Sequence, residues 1–236
     1  MTFLKKIAAA LAVLITVGAL AACSSTQPKY DAKEPLGPQI NYTITGIDAG
    51  AGVMTSTDKA LKAYGLVDKK WQLQPSSTAA MTSTLQKAIA DKRPIVVTGW
   101  TPHWMFTKFP LKFLKDPKNV YGKTEQIHTI VRKGLKQDAP QAYQVLDQFH
   151  WTPEEMSSVM LAVNGGKDPA EAAKAFVKKH PEQIAQWTKG VTHVSGKPKL
   201  TMTYIAWDSE IASTNVVATV LRQIGYNVTI RAMEPQ

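Results

Sequence analysis

The sequence predicts an α/β fold, and three patterns between residues 40 and 98 support this prediction. Residues 40–47 (INYTITGI) alternate and are rich in β-branched side chains, which is typical of a strand. Apolar residues then recur at helical spacing until Gly65 ends the pattern. The nearly continuous apolar run at 94–98 (PIVVT) predicts a strand buried on both faces. Strands that alternate with helices indicate a largely parallel sheet.

Two shorter elements fill the interval between these patterns. Residues 71–74 form a short strand candidate, and Ser76 or Ser77 is placed to cap a second helix. That helix carries apolar residues at helical spacing, namely Met81, Leu85 and Ile89. The predicted order is therefore β-α-β-α-β, and we assign residues 40–125 to a first α/β lobe.

The first 22 residues have the pattern of a secretory signal peptide. Lys5 and Lys6 precede an apolar run at 7–22, which is too short and too rich in alanine for a membrane span. LAAC at 20–23 resembles the bacterial lipobox, which implies that Cys23 is lipidated and anchors an extracytoplasmic protein to the cell membrane. The alternative is an ordinary signal-peptidase cut, with Cys23 incidental. Residues 23–39 are polar and rich in proline, which predicts a flexible tether.

The composition disfavours some functions. The formal charge is +10 for 236 residues, and it falls to +8 for the 214 residues that remain without the signal peptide. The lysines are scattered among acidic residues, which favours a solvated surface over nucleic-acid binding. Attraction to anionic envelope surfaces is a second interpretation of the charge. Cys23 is the single cysteine, so the chain forms no intramolecular disulfide.

The middle of the chain is predominantly helical in pattern. Residues 127–132 predict one more strand, placed as a crossing between lobes. Three helix starts follow, at Asp138 with Pro140, at 152–155 (TPEE) and at 168–171 (DPAE). The last two combine an N-cap oxygen, a proline at the first helical position and a glutamate three residues after the cap. We assign residues 126–197 to a hinge crossing and a helical segment of a second lobe.

A second βαβ pattern closes the sequence. Strands are predicted at 200–206 and 226–232, and between them a helix at 210–224 that Gly225 ends. Two strands and one helix do not build a sheet with both faces covered. We therefore expect residues 198–236 to be the start of a second lobe that is incomplete. The alternative is that these strands complete the first sheet in a single domain.

A glycine-rich turn joins the first strand to the first helix. Gly50 and Gly52 let backbone N–H groups approach a ligand, and a helix N-terminus favours an anion. The dinucleotide fingerprint needs glycine or alanine where this chain has Thr55, so nucleotide binding is weakly supported. The turn predicts either a site for a carboxylate-sized anion or a tight turn without a ligand.

Two tryptophans follow predicted strands at equivalent places. Trp100 comes after the strand at 94–98, and Trp207 after the strand at 200–206. Ligands of open α/β sheets bind beyond the carboxyl ends of strands. A lone tryptophan there is more often a packing residue, whereas two facing indoles bind a quaternary ammonium group through their π-faces. A zwitterion with a quaternary amine and a carboxylate would use the indoles and the glycine-rich turn together.

The sequence lacks catalytic and metal-binding patterns. The five histidines show no metal-ligand spacing, and there is no GxSxG motif, so we predict neither an enzyme nor a metal or cofactor site. We interpret His103 as a structural hydrogen-bonding residue. Trp71, Trp151 and Trp187 lie at the edges of predicted elements, and we interpret them as packing residues.

Several motifs together closely resemble the OpuA-type glycine-betaine-binding lipoproteins of Gram-positive bacteria. They are GIDAGAGVM, SSTAAMTSTLQKAI, PIVVTGWTPHWMF, KFLKDPKNVYG, IHTIVRKGL, WTPEEM and YIAWDSEIASTNVV, and the resemblance extends from about residue 40 to residue 236. It implies a type II periplasmic-binding-protein fold, in which two lobes close over the ligand about a hinge. It also implies capture of glycine betaine, or a related solute such as proline betaine, for a membrane permease driven by an ATPase.

The resemblance also implies roles for individual residues. Trp100 and Trp207 match two of the three tryptophans that enclose the trimethylammonium group, and the amides of Gly52 and Val53 match those that hold the carboxylate. The third tryptophan and a carboxylate-binding histidine lie in an AWLPNTH-like motif that this sequence lacks. We therefore expect the chain to bind betaine poorly or not at all. The alternatives are a truncated, non-binding fragment of such a receptor, and a relative that binds choline or carnitine.

Overall fold

The computed structural model describes residues 30–234, so the predicted signal peptide and Cys23 lie outside the described residues. The first helix, α1 (Leu36–Gln39), lies at the end of the predicted tether. The Gln39 side chain donates hydrogen bonds to the carbonyl oxygens of Asp31, Glu34 and Pro35. These bonds hold the segment as a compact turn in front of the first strand.

The first sheet is a parallel pair of strands flanked by two helices. Its elements are β1 (Thr43–Thr45), α2 (Gly52–Ala63), a 3₁₀ turn (Val67–Lys69), β2 (Gln72–Gln74) and α3 (Thr78–Ala90). Ser77 caps α3 by accepting a hydrogen bond from the Ala80 amide, which confirms the predicted cap. β1 is shorter than the predicted strand at 40–47 because Asn41 and Tyr42 have positive φ angles, which no strand accommodates.

The strand predicted at 94–98 is wrong over most of its length. Only Val97 forms a bridge, in parallel with Thr45 of β1. The Thr45 amide donates to the Val96 carbonyl (2.9 Å), and the Thr98 amide donates to the Thr45 carbonyl (3.0 Å). The apolar residues of this run are half-buried, because the segment pairs with β1 alone. The bridge nevertheless fixes the chain beside the carboxyl end of β1, just before Trp100.

Residues 109–134 contain no helix or strand, so the strand predicted at 127–132 is also wrong. The beginning of this segment is held against α2, where the Tyr64 hydroxyl donates to the Asp116 carboxylate. Its end is open to solvent, and Ile130 is 91% exposed. An alternating β-branched pattern forms a strand only where a neighbouring strand supplies hydrogen-bond partners. Residues 127–132 have no neighbouring strand among the described residues.

Helices make up the middle of the chain. They are α4 (Trp104–Lys108), α5 (Leu135–Asp138), α6 (Pro140–Gln148), α7 (Pro153–Asn164), α8 (Pro169–Lys179) and α9 (Pro181–Trp187). The helix starts predicted at 152–155 and 168–171 are confirmed. The start predicted at Asp138 with Pro140 is only partly right, because α6 begins at Pro140 with Ala139 as its N-cap and Asp138 is the last residue of α5. Thr152 and Glu155 form a reciprocal capping box on α7, and Asp168 accepts from the first amides of α8. Within residues 30–234, no helix combines the length and the apolar character needed to cross a bilayer.

The second sheet repeats the parallel βαβ arrangement. Its elements are β3 (Lys199–Ile205), α10 (Asp208–Gln223) and β4 (Asn227–Met233), with Lys199 opposite Asn227 and Ile205 opposite Met233. All three elements were predicted. Gly225 ends the helix with a φ of +109°, and a Cβ at this position would lie 2.1 Å from the Val194 carbonyl oxygen. Only glycine therefore fits this turn.

The buried apolar side chains form one continuous core. α10 packs on β3 and β4, and also on α7 and α8. It contributes buried residues along its length, among them Ala212, Val216, Val217, Val220 and Leu221. The same cluster extends to Ile47, Met54 and the fully buried Trp104 near the first sheet. The core therefore fixes the carboxyl ends of β1 and β3 relative to each other, and the candidate site lies there.

Candidate functional site

The glycine-rich turn presents two unpaired backbone amides. Ala51 is the N-cap of α2, and its methyl side chain supplies no acceptor for the first amides of the helix. The Ala51 amide itself donates to the Asp48 carbonyl (2.9 Å), which closes the turn. Within residues 30–234, the amides of Gly52 and Val53 have no hydrogen-bond acceptor. Two free N–H groups at a helix N-terminus form a suitable site for a carboxylate.

Gly52 is exposed, and the space around it is open. A Cβ added at Gly52 would meet no heavy atom within 4 Å, so packing does not demand glycine here. A neighbouring cavity of about 360 Å³ is lined by Asp48, Ala49, Gly50, Pro75, Ser76 and Glu234. Its two carboxylates make this cavity more favourable for a cation than for an anion. The turn thus offers both an acidic cavity and free amides to a ligand.

Trp207 lies against this turn although it follows a strand of the other sheet. It is the N-cap residue of α10, and its indole is half-buried. The indole Nε1–H donates to the Asp48 carboxylate over 3.3 Å. This hydrogen bond joins the end of β3 to the loop that follows β1, so the predicted aromatic residue and the predicted anion site share one neighbourhood.

Trp100 rests on the edge of a buried histidine. Its ring lies edge-on to the His103 ring, with centroids 4.6 Å apart. His103 is 1% exposed, and its Nδ1 accepts a hydrogen bond from the Met105 amide (3.2 Å) at the start of α4. The structural hydrogen bond predicted for His103 is therefore confirmed. Because Nδ1 is an acceptor, we assign the ring N–H to Nε2.

Asp208 joins this histidine to the second sheet. Its Oδ2 lies 3.3 Å from His103 Nε2, an electrostatic contact whose angle falls short of a well-formed hydrogen bond. The same oxygen accepts a hydrogen bond from the Trp104 indole Nε1–H. Burial would raise the pKa of the Asp208 carboxyl, but the contacts with His103 and Trp104 outweigh burial and lower this pKa. Asp208 therefore carries its negative charge at neutral pH.

Glu210, one turn into α10, behaves in the opposite way. Burial raises the pKa of its carboxyl, and the neighbouring Asp208 charge acts in the same direction. The Ser209 hydroxyl donates to Glu210 over 2.6 Å and partly offsets these effects. The pKa values of the two carboxyls at the start of α10 are therefore shifted in opposite directions.

The structure brings together some of the predicted site residues. Trp207 contacts the glycine-rich turn directly, and Trp100 is connected to Asp208, the residue next to Trp207, through His103. No ring contact joins Trp100 and Trp207 in the part of the chain that the structure describes. Asp48 and Asp208 are not among the predicted site residues, although each follows a predicted strand, where ligand-binding residues of α/β sheets concentrate.

The arrangement is suited to holding a small zwitterion. Half-buried indoles suit a cation, and free amides suit a carboxylate. The residues described contain no cluster of three histidine, cysteine, aspartate or glutamate side chains that would hold a metal ion. Parallel βαβ units with such groups at the strand ends define a solute-binding protein.

Comparisons with known proteins agree with this class. The model of the substrate-binding domain of the ABC-type glycine betaine transport system matches residues 25–179. The glycine betaine/carnitine transport binding protein GbuC of Listeria monocytogenes is 66% identical over 233 residues, which are 99% of this chain and 77% of that protein.

Two solved structures share the fold. One is lactococcal OpuAC in its closed, liganded conformation with glycine betaine, with a TM-score of 0.61 and 48% identity over 70% of this chain. The other is the glycine betaine/L-proline-binding protein ProX of Borrelia burgdorferi, with a TM-score of 0.60 and 34% identity over 70% of this chain. The matches span 64% and 62% of those two chains.

The chain belongs to the family of substrate-binding domains of ABC-type glycine betaine transporters. Its fold is that of the periplasmic binding proteins, as the resemblance implied. Proteins of this family are transport components that work outside the cytoplasm, and they are not enzymes.

Proposed function

We propose that this chain captures glycine betaine, or a closely related quaternary-ammonium solute, at the place where the glycine-rich turn meets Trp207. The observation that carries the proposal is the hydrogen bond from the Trp207 indole to Asp48. It brings the indole to the loop that leads to two free backbone amides, those of Gly52 and Val53. A ligand with a cation and a carboxylate a few ångströms apart matches both groups.

Trp100 and Trp207 would bind the trimethylammonium end. A quaternary ammonium group cannot donate a hydrogen bond, so it is held by π-faces and by nearby negative charge. Both indoles are half-buried, which lowers the local dielectric while leaving ring surface accessible. Asp48 and Asp208 supply negative charge close to the two rings, and this charge favours a cation further.

The amides of Gly52 and Val53 would bind the carboxylate. They stand at the positive end of the helix dipole of α2, which is twelve residues long. Hydrogen bonds from backbone amides to a carboxylate are charge-assisted and are stronger than neutral ones. The relatives GbuC, OpuAC and ProX are all named for glycine betaine, which supports the same ligand here.

The affinity that these groups supply is modest. Two aromatic walls contribute about 0.5–2 kcal/mol each, and part of this is offset by the loss of ligand freedom on binding. We therefore expect a dissociation constant on the order of millimolar or weaker from Trp100, Trp207 and the two amides.

The family context supports further proposals about partners and location. We propose that residues 40–125 form one lobe, and that 126–197 and 198–236 belong to a second, with delivery to a membrane permease and its ATPase. We also propose that Cys23 is lipidated and that the following residues, 23–39, tether the protein to the cell membrane. We propose no partner other than the solute and these membrane subunits, and no binding to nucleic acid.

The test is a betaine titration of the purified protein and of its tryptophan variants, followed by NMR chemical shifts. We expect Trp100→Ala and Trp207→Ala each to weaken binding about 5- to 30-fold, because each removes one aromatic wall. Trp71→Ala is the matched control, since Trp71 packs edge-on against Tyr42 and has no place in the site. Unchanged affinity in both site variants would contradict the proposal, as would the absence of any response to about 100 mM betaine.

A further inference from the structure

We infer that Asp48 and Asp208 are positioning residues that cross-brace the site, each holding an aromatic wall that belongs to the opposite sheet. This inference rests on the proposed function, because it assigns the two carboxylates to the orientation of Trp207 and Trp100. Each brace is a hydrogen-bonded contact between residues more than 100 positions apart in the chain.

The first brace is the contact between Asp48 and Trp207. Asp48 lies in the loop after β1, and its Oδ2 accepts the Trp207 Nε1–H over 3.3 Å. A half-buried indole without this bond would rotate about two side-chain torsions. A bond to its single polar atom selects one orientation of the ring beside the loop that leads to Gly52 and Val53.

The second brace runs from Asp208 to Trp100 through two buried rings. Asp208 Oδ2 accepts from the Trp104 indole and faces His103 Nε2, while His103 Nδ1 accepts from the Met105 amide. The imidazole is therefore hydrogen-bonded at Nδ1 and faces a carboxylate at Nε2. Trp100 packs edge-on against the His103 ring, with centroids 4.6 Å apart. Asp208 therefore determines the position of Trp100 indirectly, through His103.

The chemistry of the partners favours a positioning role over general ion pairing. In the described part of the chain, no lysine or arginine forms a salt bridge with Asp48 or Asp208. Their partners are N–H groups of aromatic rings, which satisfy a carboxylate without cancelling its charge. A partly buried carboxylate held only by ring N–H groups keeps those rings in place and still presents negative charge to a cation. The lowered pKa of Asp208 agrees with this arrangement.

Preorganisation is the expected benefit. Walls that are already oriented lose little freedom when the ligand enters, so more of the contact energy appears as affinity. Removing a brace should therefore weaken binding and loosen one specific indole, while the packing of the core stays unchanged.

The experiment records the indole Nε1–H signals of the six tryptophans in ¹⁵N-correlated spectra of the ligand-free protein, assigned by single Trp→Phe variants. Asp48→Ala should move the Trp207 signal toward that of a free indole and speed its exchange with solvent. Asp208→Ala should do the same to Trp104.

The Asn variants keep an acceptor and should give intermediate signals, and Asp208→Asn also covers the case in which Asp208→Ala does not fold. Asp58→Asn and Asp147→Asn are matched controls at exposed positions.

The same samples are then titrated with betaine. We expect Asp48→Ala and Asp208→Ala to weaken binding by about fivefold or more, with partial recovery in the Asn variants. In a Trp207→Phe background, which lacks the donor, Asp48→Ala should have a smaller effect than in the wild type, because only the carboxylate charge is then lost. The inference is overturned if the indole signals of the Ala variants match those of the controls. It is also overturned if the wild type binds betaine measurably and the Ala variants bind it with the same affinity. If the wild type does not bind betaine, the proposed function fails, and the indole signals alone decide whether the braces exist.

Discussion

The two strand-to-helix junctions that meet at the site share a backbone design and differ in chemistry. At the junction from β1 to α2, the N-cap is Ala51, and the free amides of Gly52 and Val53 follow. At the junction from β3 to α10, the N-cap is Trp207, and the charged Asp208 follows. One junction offers hydrogen-bond donors to an anion, whereas the other offers an aromatic face and a negative charge to a cation.

Three helices away from the site begin differently. Ser77, Thr152 and Asp168 each accept hydrogen bonds from the first amides of α3, α7 and α8, so those amides are satisfied within the protein. A side-chain cap stabilises a helix by about 1 kcal/mol. The two helices at the site lack such a cap, which leaves their first turns available for other contacts.

Among the variants that test this contrast, Gly52→Pro is expected to have the largest effect on betaine affinity. Proline removes only the N–H group, and it suits this position because Gly52 is the first residue of α2 and Ala51 already has extended backbone (φ −72°, ψ 143°). Loss of one charge-assisted hydrogen bond should weaken betaine binding by about tenfold or more. Choline has no carboxylate, so its affinity should not change.

Gly52→Ala is the matched control for this variant, because it keeps the N–H group and its Cβ meets no atom within 4 Å. Comparable losses for betaine and choline in Gly52→Pro would show that the turn does not bind a carboxylate. The measurement is a pair of NMR titrations, one for each ligand, on the same variant proteins.

A smaller effect is expected from Asp168→Ala at a capped helix. Asp168 accepts from the amides of Ala170 and Glu171, and these donors lose their partner in the variant. We expect the free energy of unfolding to fall by about 1 kcal/mol, measured by urea denaturation, with betaine affinity unchanged. A loss of affinity would contradict the division between structural caps and helices of the site, and Asp147→Asn provides the exposed control.

The smallest effect concerns the pH dependence of stability in Asp208→Asn. Because contacts in the folded state lower the pKa of Asp208, its charge stabilises the fold above the unfolded-state pKa of about 3.9. This contribution is lost as the pH falls through the folded-state pKa. The stability difference between wild type and variant should thus be constant from neutral pH to about 4 and should shrink below it. A difference that is the same at all pH values would show that the charge does not contribute.

The fold was predictable where local chemistry determines it. The helix starts at Thr152 and Asp168 carry their caps in the sequence, and the βαβ unit around α10 shows both its period and its terminal Gly225. The strands at 94–98 and 127–132 were mispredicted because an apolar or alternating run does not reveal whether neighbouring strands exist on each side. Long-range pairing, not local propensity, decides such segments.

The site was only half predictable for the same reason. Trp100, Trp207 and Gly52 were singled out because each lies at the end of a predicted strand or the start of a helix. The contacts of Asp48 with Trp207 and of Asp208 with Trp104 join residues 159 and 104 positions apart. They depend on how the core places one sheet against the other, and no local pattern encodes that placement.

The most direct test of the central claim is a betaine titration of the wild-type protein followed by ¹⁵N-correlated spectra. Four signals should shift together and saturate with one dissociation constant, on the order of millimolar or weaker. They are the indole signals of Trp100 and Trp207 and the backbone amide signals of Gly52 and Val53. Two results would contradict a single site built from both junctions. One is that betaine leaves these four signals unmoved, and the other is that the indole signals and the amide signals fit different dissociation constants.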